Sequence, residues 1–379
     1  ISRVEELRDR TIHALSGSRQ LANLRKLQKN VPGLKVVVSD KANIFDLLEG
    51  ISDQRIELAA IDSTLGDLAT QLNPSLQMTL RLGEDAPIVW WLGHRPNSEL
   101  SAQINRFAEK VQRDGTLARI EDRYFGHVRR LKQADIISFL GEIESTLPKL
   151  RRYFQAAQMV TGIDWRLIAA VAYHESKWDP SATSYTNVRG IMMLTEETAD
   201  RLKVQNRLDP KEAILAGARY INLLKDQLGP ETPEPDRTWL ALAAYNIGPG
   251  NFGAAQRLAK LLNADPSDWY EMKSVLPKLA QPKVQQQLKT GRIRGGEAVV
   301  LVENIRSYYT ILLRNTQPLT PTPAIERNLR RLVAEVEQLQ KNHVSKAKAM
   351  PVMVSMTGDN DSLRLPLIES EAPLSSSGE

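Results

Sequence analysis

The sharpest constraint in this sequence is a change of hydrophobic period near residue 130. From about residue 133 to 316, apolar residues recur every three to four positions. They do so in "IISFLGEIESTLPKLRRYFQAAQMV", "WRLIAAVAYHE", "EAILAGARYINLLKDQL" and "AVVLVENIRSYYTILL", and strand signals are nearly absent. This predicts an all-α domain of about 180 residues. Before it the pattern alternates. Short β-rich runs at 11–15, 34–40, 56–62 and 87–93 are separated by helix-like stretches, and longer helical patterns follow near 98–113 and 115–124. Strands alternating with helices predict an α/β sheet, so the chain reads as a multidomain α+β protein. Trp90 and Trp91, on the last β-rich run, read as packing residues.

After residue 316, "NTQPLTPTP" reads as a stiff proline linker. Leu329, Leu332, Val333, Val336 and Leu339 then share one stripe of a short surface helix, and from about 351 an acidic, Ser/Pro-rich tail reads as disordered. The predicted divisions are 1–130, 131–316, 317–350 and 351–379. A net charge of +5 without dense Lys/Arg blocks argues against nucleic acid and suits an anionic polymer such as a cell wall. The chain has no cysteine, which excludes disulfides, and no apolar run of 18 residues. It begins with Ile, so any export signal or lipid anchor is expected upstream.

Few residues are left for chemistry. The five histidines are scattered without an HExxH, and His174 beside Glu175 is no ligand pair, because helix neighbours point apart. There is no GxSxG, P-loop or GxGxxG, and "GPGNFG" at 248–253 lacks the P-loop lysine. No metal or cofactor is expected. Glu175, in "YHESKWDP", follows the apolar run "WRLIAAVA". A carboxyl at the end of a buried helix is desolvated, its pKa rises, and it can serve as a general acid. Glycosidic cleavage needs such an acid and normally a second carboxylate. Asp179 is the nearest, but directly before Pro180 it reads as a turn cap.

The order Glu175-Ser176, Ser184, Gly190-Ile191-Met192, then Ala244-Tyr245-Asn246 with Gly248, resembles the lytic transglycosylases of the goose-lysozyme-like superfamily. The resemblance covers about 140–316 and implies a lysozyme-like catalytic domain acting on peptidoglycan glycan strands. In that family one glutamate protonates the oxygen between N-acetylmuramic acid and N-acetylglucosamine. It then takes the proton of the muramyl C6 hydroxyl, which closes a 1,6-anhydro ring. The substrate supplies the nucleophile, so a second carboxylate is not required. The resemblance makes Glu175 the acid and base. Tyr245 would hydrogen-bond near it and Asn246 would hold the turn. Ser184 would contact the sugar, Met192 and Met193 would line the groove, and Glu297 would be a groove or structural residue. Three positions depart from the family pattern. Met193 stands where Gln is usual, and "GIMMLT" is similar to the membrane-bound lytic transglycosylase F branch. Asn187 stands where many members have Gly, a place where Asn tolerates positive φ. Leu301 stands where a tyrosine is expected.

The segments at 16–28, 58–64 and 114–126 resemble the second lobe and closing helices of periplasmic amino-acid-binding proteins, a module fused to the catalytic domain in the same branch. Gly17 and Ser18 would meet a ligand carboxylate and Asp62 its amine, the ligand being an amino acid or muropeptide effector. The plain alternatives are a helix cap and a strand-end turn. A complete module needs about 100 further residues, so a first lobe is expected outside this chain. The implied location is the periplasm, at the outer membrane. Two other functions fit the residues: a hydrolase of lysozyme type using a second carboxylate, and a peptidoglycan-holding module whose catalysis has decayed.

Overall fold

A computed structural model describes residues 1–349 except 74, 86–88, 91, 94–96, 128–130 and 185–186; of 71, 72 and 342–349 it describes the backbone only. The first part alternates as the sequence predicts: β1 (Thr11–Leu15), α1 (Arg19–Gln28), β2 (Lys35–Ser39), α2 (Ile44–Ser52), β3 (Leu58–Ala59) and α3 (Ser63–Leu72). The three strands form a parallel sheet in the order β2-β1-β3, with Ile12 opposite Val36 on one side and Leu58 on the other. Along β1, Ile12 and Ala14 point inward and join Leu7, Leu24, Val31 and Leu34 in a small core, the period-two pattern of a half-buried strand. The predicted fourth strand is absent at the described residues of 87–93. Trp90 is 62% exposed, with Phe107 as its ring neighbour at 6.1 Å, so it is not the packing residue expected; Trp91 lies outside the described residues.

Two further helices, α4 (Ser98–Arg113) and α5 (Thr116–Phe125), bury no residue. Charge, rather than apolar surface, fixes α5 to the rest of the chain. Arg119 pairs with Asp268 at 3.1 Å and with Glu271 at 3.2 Å. Asp122 pairs with Lys273, and the Arg306 guanidinium donates to the carbonyls of Asp122 and Arg123.

The remainder is helical: α6 (Gln133–Ser145), α7 (Leu147–Thr161), α8 (Trp165–Ser176), α9 (Glu196–Arg201), α10 (Pro210–Gln227), α11 (Asp236–Ile247), α12 (Pro249–Leu261), α13 (Trp269–Val275), α14 (Pro282–Leu288) and α15 (Gly295–Asn315). One large core runs through them, and α8 is its axis, buried continuously from Trp165 to Tyr173. Helices α7, α15 and α10 pack around α8. Phe139, Tyr173, Trp178 and Tyr308 stack at centroid distances of 4.3 to 5.5 Å, contacts worth about 1 kcal/mol each beyond area burial. Inside this core Glu303 is fully buried. Trp269 donates to it at 2.8 Å and Arg306 at 2.8 and 3.0 Å.

The C-terminal helix, α16 (Pro323–Ala349), is longer and better packed than a short surface helix. Leu329 and Val336 are buried, Val336 in the main core, while Leu339 stays exposed; the helix as a whole packs on α7. Arg219 of α10 pairs with Glu337 at 2.7 Å. The amide of Gln340 donates to the Leu202 carbonyl, and that of Gln205 to the Leu339 carbonyl. The tail from 351 onward lies outside the described residues.

Candidate active site

Helix α8 starts at Asp164, whose carboxylate accepts from the Arg166 amide at 2.8 Å and holds the Arg166 guanidinium. It stops abruptly. Lys177 and Trp178 both adopt positive φ, +55° and +62°, and the Trp178 ring turns back into the core, where its Nε1 donates to the Ala169 carbonyl at 2.8 Å. This leaves Glu175 in the last helical turn, half-buried. Burial alone pushes its carboxyl up to about 8; no neighbouring charge contributes. A helix C-terminus disfavours negative charge as well. Among the described residues, no side chain donates a hydrogen bond to this carboxyl or pairs with it. Next to it, burial drives His174 down to about 4, so its imidazole is neutral near pH 7.

A strained loop lies against this turn. Arg189 and Leu194 exchange backbone hydrogen bonds at 3.2 and 3.0 Å, and the tip between them is closed by the Met193 amide donating to the Gly190 carbonyl at 2.9 Å. Asn187, Gly190 and Met193 all have positive φ, at +61°, +81° and +45°. Asn187 thus keeps the left-handed turn that the sequence suggested it could tolerate. Gly190 is required twice over: a Cβ there would also sit 1.8 Å from the Arg207 carbonyl oxygen. Ser176 Oγ lies 3.1 Å from the Ala172 carbonyl and 2.9 Å from the Ile191 carbonyl, so its proton joins the helix end to the loop tip. The Tyr245 hydroxyl donates to the Met192 carbonyl at 2.6 Å. Burial and then the nearby Glu175 charge raise the Tyr245 pKa far above its ordinary value, so it remains a neutral donor.

The structure therefore gathers Glu175, Tyr245 and the Met192–Met193 tip, with three adjustments. The Tyr245 hydroxyl bonds the loop, not the Glu175 carboxyl. Met192 is fully buried and its side chain packs on Gly217, so it offers the site a carbonyl rather than a groove-lining side chain; Met193 is the half-exposed one. Asn246 is exposed at the end of α11, and the turn is closed instead by Asn251, whose amide donates to the Ile247 carbonyl at 2.7 Å. Ser184 Oγ accepts from the Val188 amide at 3.1 Å, within the loop base. Asp179 accepts from the Ser181 amide and hydroxyl at 2.8 and 2.7 Å, the turn cap expected of it. Glu297 is exposed in the first turn of α15, paired with Arg294 at 3.4 Å, and makes no hydrogen bond to the gathered residues. Leu301 is buried in the main core.

In the first part, the side chains of Ser18 and Asp62 are spent as helix N-caps. Ser18 accepts from the Leu21 amide at 3.1 Å, and Asp62 from those of Thr64 and Leu65 at 2.9 and 3.3 Å. Gly17 has a φ of +69°. Asp62 also lines a cavity of about 790 Å³ together with Arg19, Asn23 and Arg81; Gly17 and Ser18 do not.

The Transglycosylase SLT domain family matches residues 152–266, a span that contains Glu175, the loop and Tyr245. A membrane-bound lytic murein transglycosylase F from Methylobacillus flagellatus is 42% identical over 318 residues, covering 84% of this chain and 67% of the relative. The chain belongs to the membrane-bound lytic murein transglycosylase F family. Proteins of that name from Nitrosospira multiformis and Pseudomonas putida are 43% and 41% identical, each over 66% of its own length. The chain thus spans about two thirds of its transglycosylase F relatives. In this member, sequence reading named neither the Ser176 hydroxyl bridge nor Arg207, which contacts the loop from 13 to 20 residues away in sequence. No local period marks either one.

Proposed function

We propose that this chain cleaves the β-1,4 bond between N-acetylmuramic acid and N-acetylglucosamine of peptidoglycan by lytic transglycosylation. Glu175 gives its proton to the glycosidic oxygen and the bond to the muramyl anomeric carbon breaks. The resulting carboxylate takes the proton of the muramyl C6 hydroxyl, whose oxygen closes on the anomeric carbon. Glu175 ends protonated, and no water is consumed. The observation that carries this reading is a lone carboxyl that burial alone keeps protonated near neutral pH. A hydrolase would need a second carboxylate, and Asp179 is committed to its turn. The names of the relatives support the same substrate.

In this reading, residues 131–316 form the catalytic domain, with Met193, Asn246 and Ser184 toward the glycan and Glu297 serving α15. Residues 1–130 form part of a solute-binding-protein-like module, its cavity beside Asp62 taking a muropeptide or amino acid that adjusts turnover. The site of action is the periplasm, at the outer membrane. The relatives' names support membrane association, and no helix among the described residues is long and apolar enough to cross a membrane. Adding candidate effectors to a chain carrying the complete module tests the regulation; unchanged turnover refutes it.

Mass spectrometry of sacculi digested with the wild type and Glu175→Gln tests the activity. Fragments one water lighter than hydrolytic products, absent with the variant, support it. Fragments at full hydrolytic mass make the chain a hydrolase, and sacculus binding without release makes it a holding module.

A further inference from the structure

Arg207, in the connection between α9 and α10, has a guanidinium directed at the active-site loop rather than at an acid. Its Nη1 donates to the Asn187 carbonyl at 2.9 Å and to the Leu194 carbonyl at 3.1 Å, the two ends of the loop. Its own carbonyl fills the space left by the missing side chain of Gly190. The connection that carries it is anchored in turn. The Gln205 amide N–H donates to the buried Glu212 carboxylate at 2.8 Å, and the side chains of Gln205 and Gln340 tie the connection to α16. The far side of the loop meets Ser176, next to Glu175, and Tyr245.

We propose that Arg207 is a positioning residue for the reaction: by holding both ends of the Asn187–Leu194 loop, it keeps that loop closed over the last turn of α8 and so fixes the place and the dryness of Glu175. This rests on the transglycosylation reading above. Without the guanidinium, the Asn187 carbonyl loses its donor, the Leu194 carbonyl keeps only the 3.2 Å bond from the Arg189 amide, and a loop with three positive-φ residues is free to relax. Displacement of catalytic surroundings by about 1 Å can lower turnover by up to about a hundredfold.

The test compares the wild type with Arg207→Met, which removes the donors, and Arg207→Lys, which keeps a charged donor group without the guanidinium fork. Turnover is measured on soluble glycan strands across pH. Amide hydrogen exchange is followed over 187–194, and the Glu175 carboxyl is titrated by carbon-13 NMR, with Glu175→Gln as the assignment control. Arg207→Met should lower kcat by about tenfold or more with a smaller change in KM. It should speed exchange in the loop and move both the Glu175 titration and the alkaline limb of the rate profile to lower pH. Arg207→Lys should recover part of each. Wild-type turnover in Arg207→Met overturns the proposal, and so does a loss of turnover with loop exchange and Glu175 titration unchanged. If Arg207→Met does not fold, Arg207→Lys decides: a wild-type loop and titration overturn the proposal, faster exchange with a lowered titration supports it. If the wild type itself releases no anhydro fragments while exchange and titration respond, the clamp stands and transglycosylation fails.

Discussion

The Tyr245 hydroxyl donates a 2.6 Å hydrogen bond to the Met192 carbonyl, joining the end of α11 to the loop beside Glu175. Tyr245→Phe keeps the ring and its stacking on Tyr220 but leaves that carbonyl without its donor. We expect a stability loss of about 1–3 kcal/mol and a turnover loss of about tenfold. Denaturant titration and product release by the same preparation check both; wild-type values in both would remove the tether from the mechanism.

Glu175 makes stability depend on pH in a definite direction. Burial raises its folded-state pKa from 4.5 to about 8, so the folded state holds a proton that the unfolded state releases. Between those values stability falls as pH rises, and above about 8 the full penalty is present. Glu175→Gln removes it. The variant should match the wild type at pH 4 and exceed it at pH 9 by up to a few kcal/mol. Unfolding curves at pH 4, 6.5 and 9 test this, and a constant difference between the two proteins contradicts it.

The loop backbone predicts an ordering of substitutions. Asn187→Gly should be neutral or slightly stabilising, because φ is +61° there. Asn187→Val should cost about 1–2 kcal/mol. Gly190→Ala should cost more than either, since its methyl would meet the Arg207 carbonyl at 1.8 Å. Melting temperatures of the three variants give the order directly.

The buried charges on α15 predict a joint. For Glu303, burial alone would raise the pKa, yet Arg306 and Lys273 hold it below its ordinary value. Arg306→Met leaves Glu303 buried beside Lys273 and removes the guanidinium bonds to the Asp122 and Arg123 carbonyls, of which the Asp122 carbonyl keeps the Gly126 amide as donor. Stability should drop by about 3–5 kcal/mol, with faster amide exchange in α5. Because the Glu303 pKa is lowered, its contribution is present above pH 4.5 and is lost as pH falls through the folded value, so the wild type should weaken in acid more than Arg306→Met. Exchange in α5 equal to the wild type would show that the charges do not carry the attachment.

Features encoded within one or two turns of chain are legible in the amino-acid order alone. The switch of period near residue 130, the buried run leading to Glu175, the turn cap at Asp179, the tolerance of Asn187 for positive φ and the capping options of Ser18 and Asp62 are all local preferences, and each could be read off neighbouring residues. What each side chain meets depends on long-range packing. Met192 and Met193 are identical in sequence terms, yet the positive φ of Met193 turns one into the core against Gly217 and leaves the other half-exposed. The amphipathic stripe of α16 does not say that α7 covers it. Charged residues on α5 look like a solvated face until Arg306 and Lys273 arrive from more than 150 positions away. Arg207 carries no motif at all. Its role comes from two carbonyls brought within 3.1 Å by packing, and backbone carbonyls are the same at every position, so no pattern of side chains could have announced it.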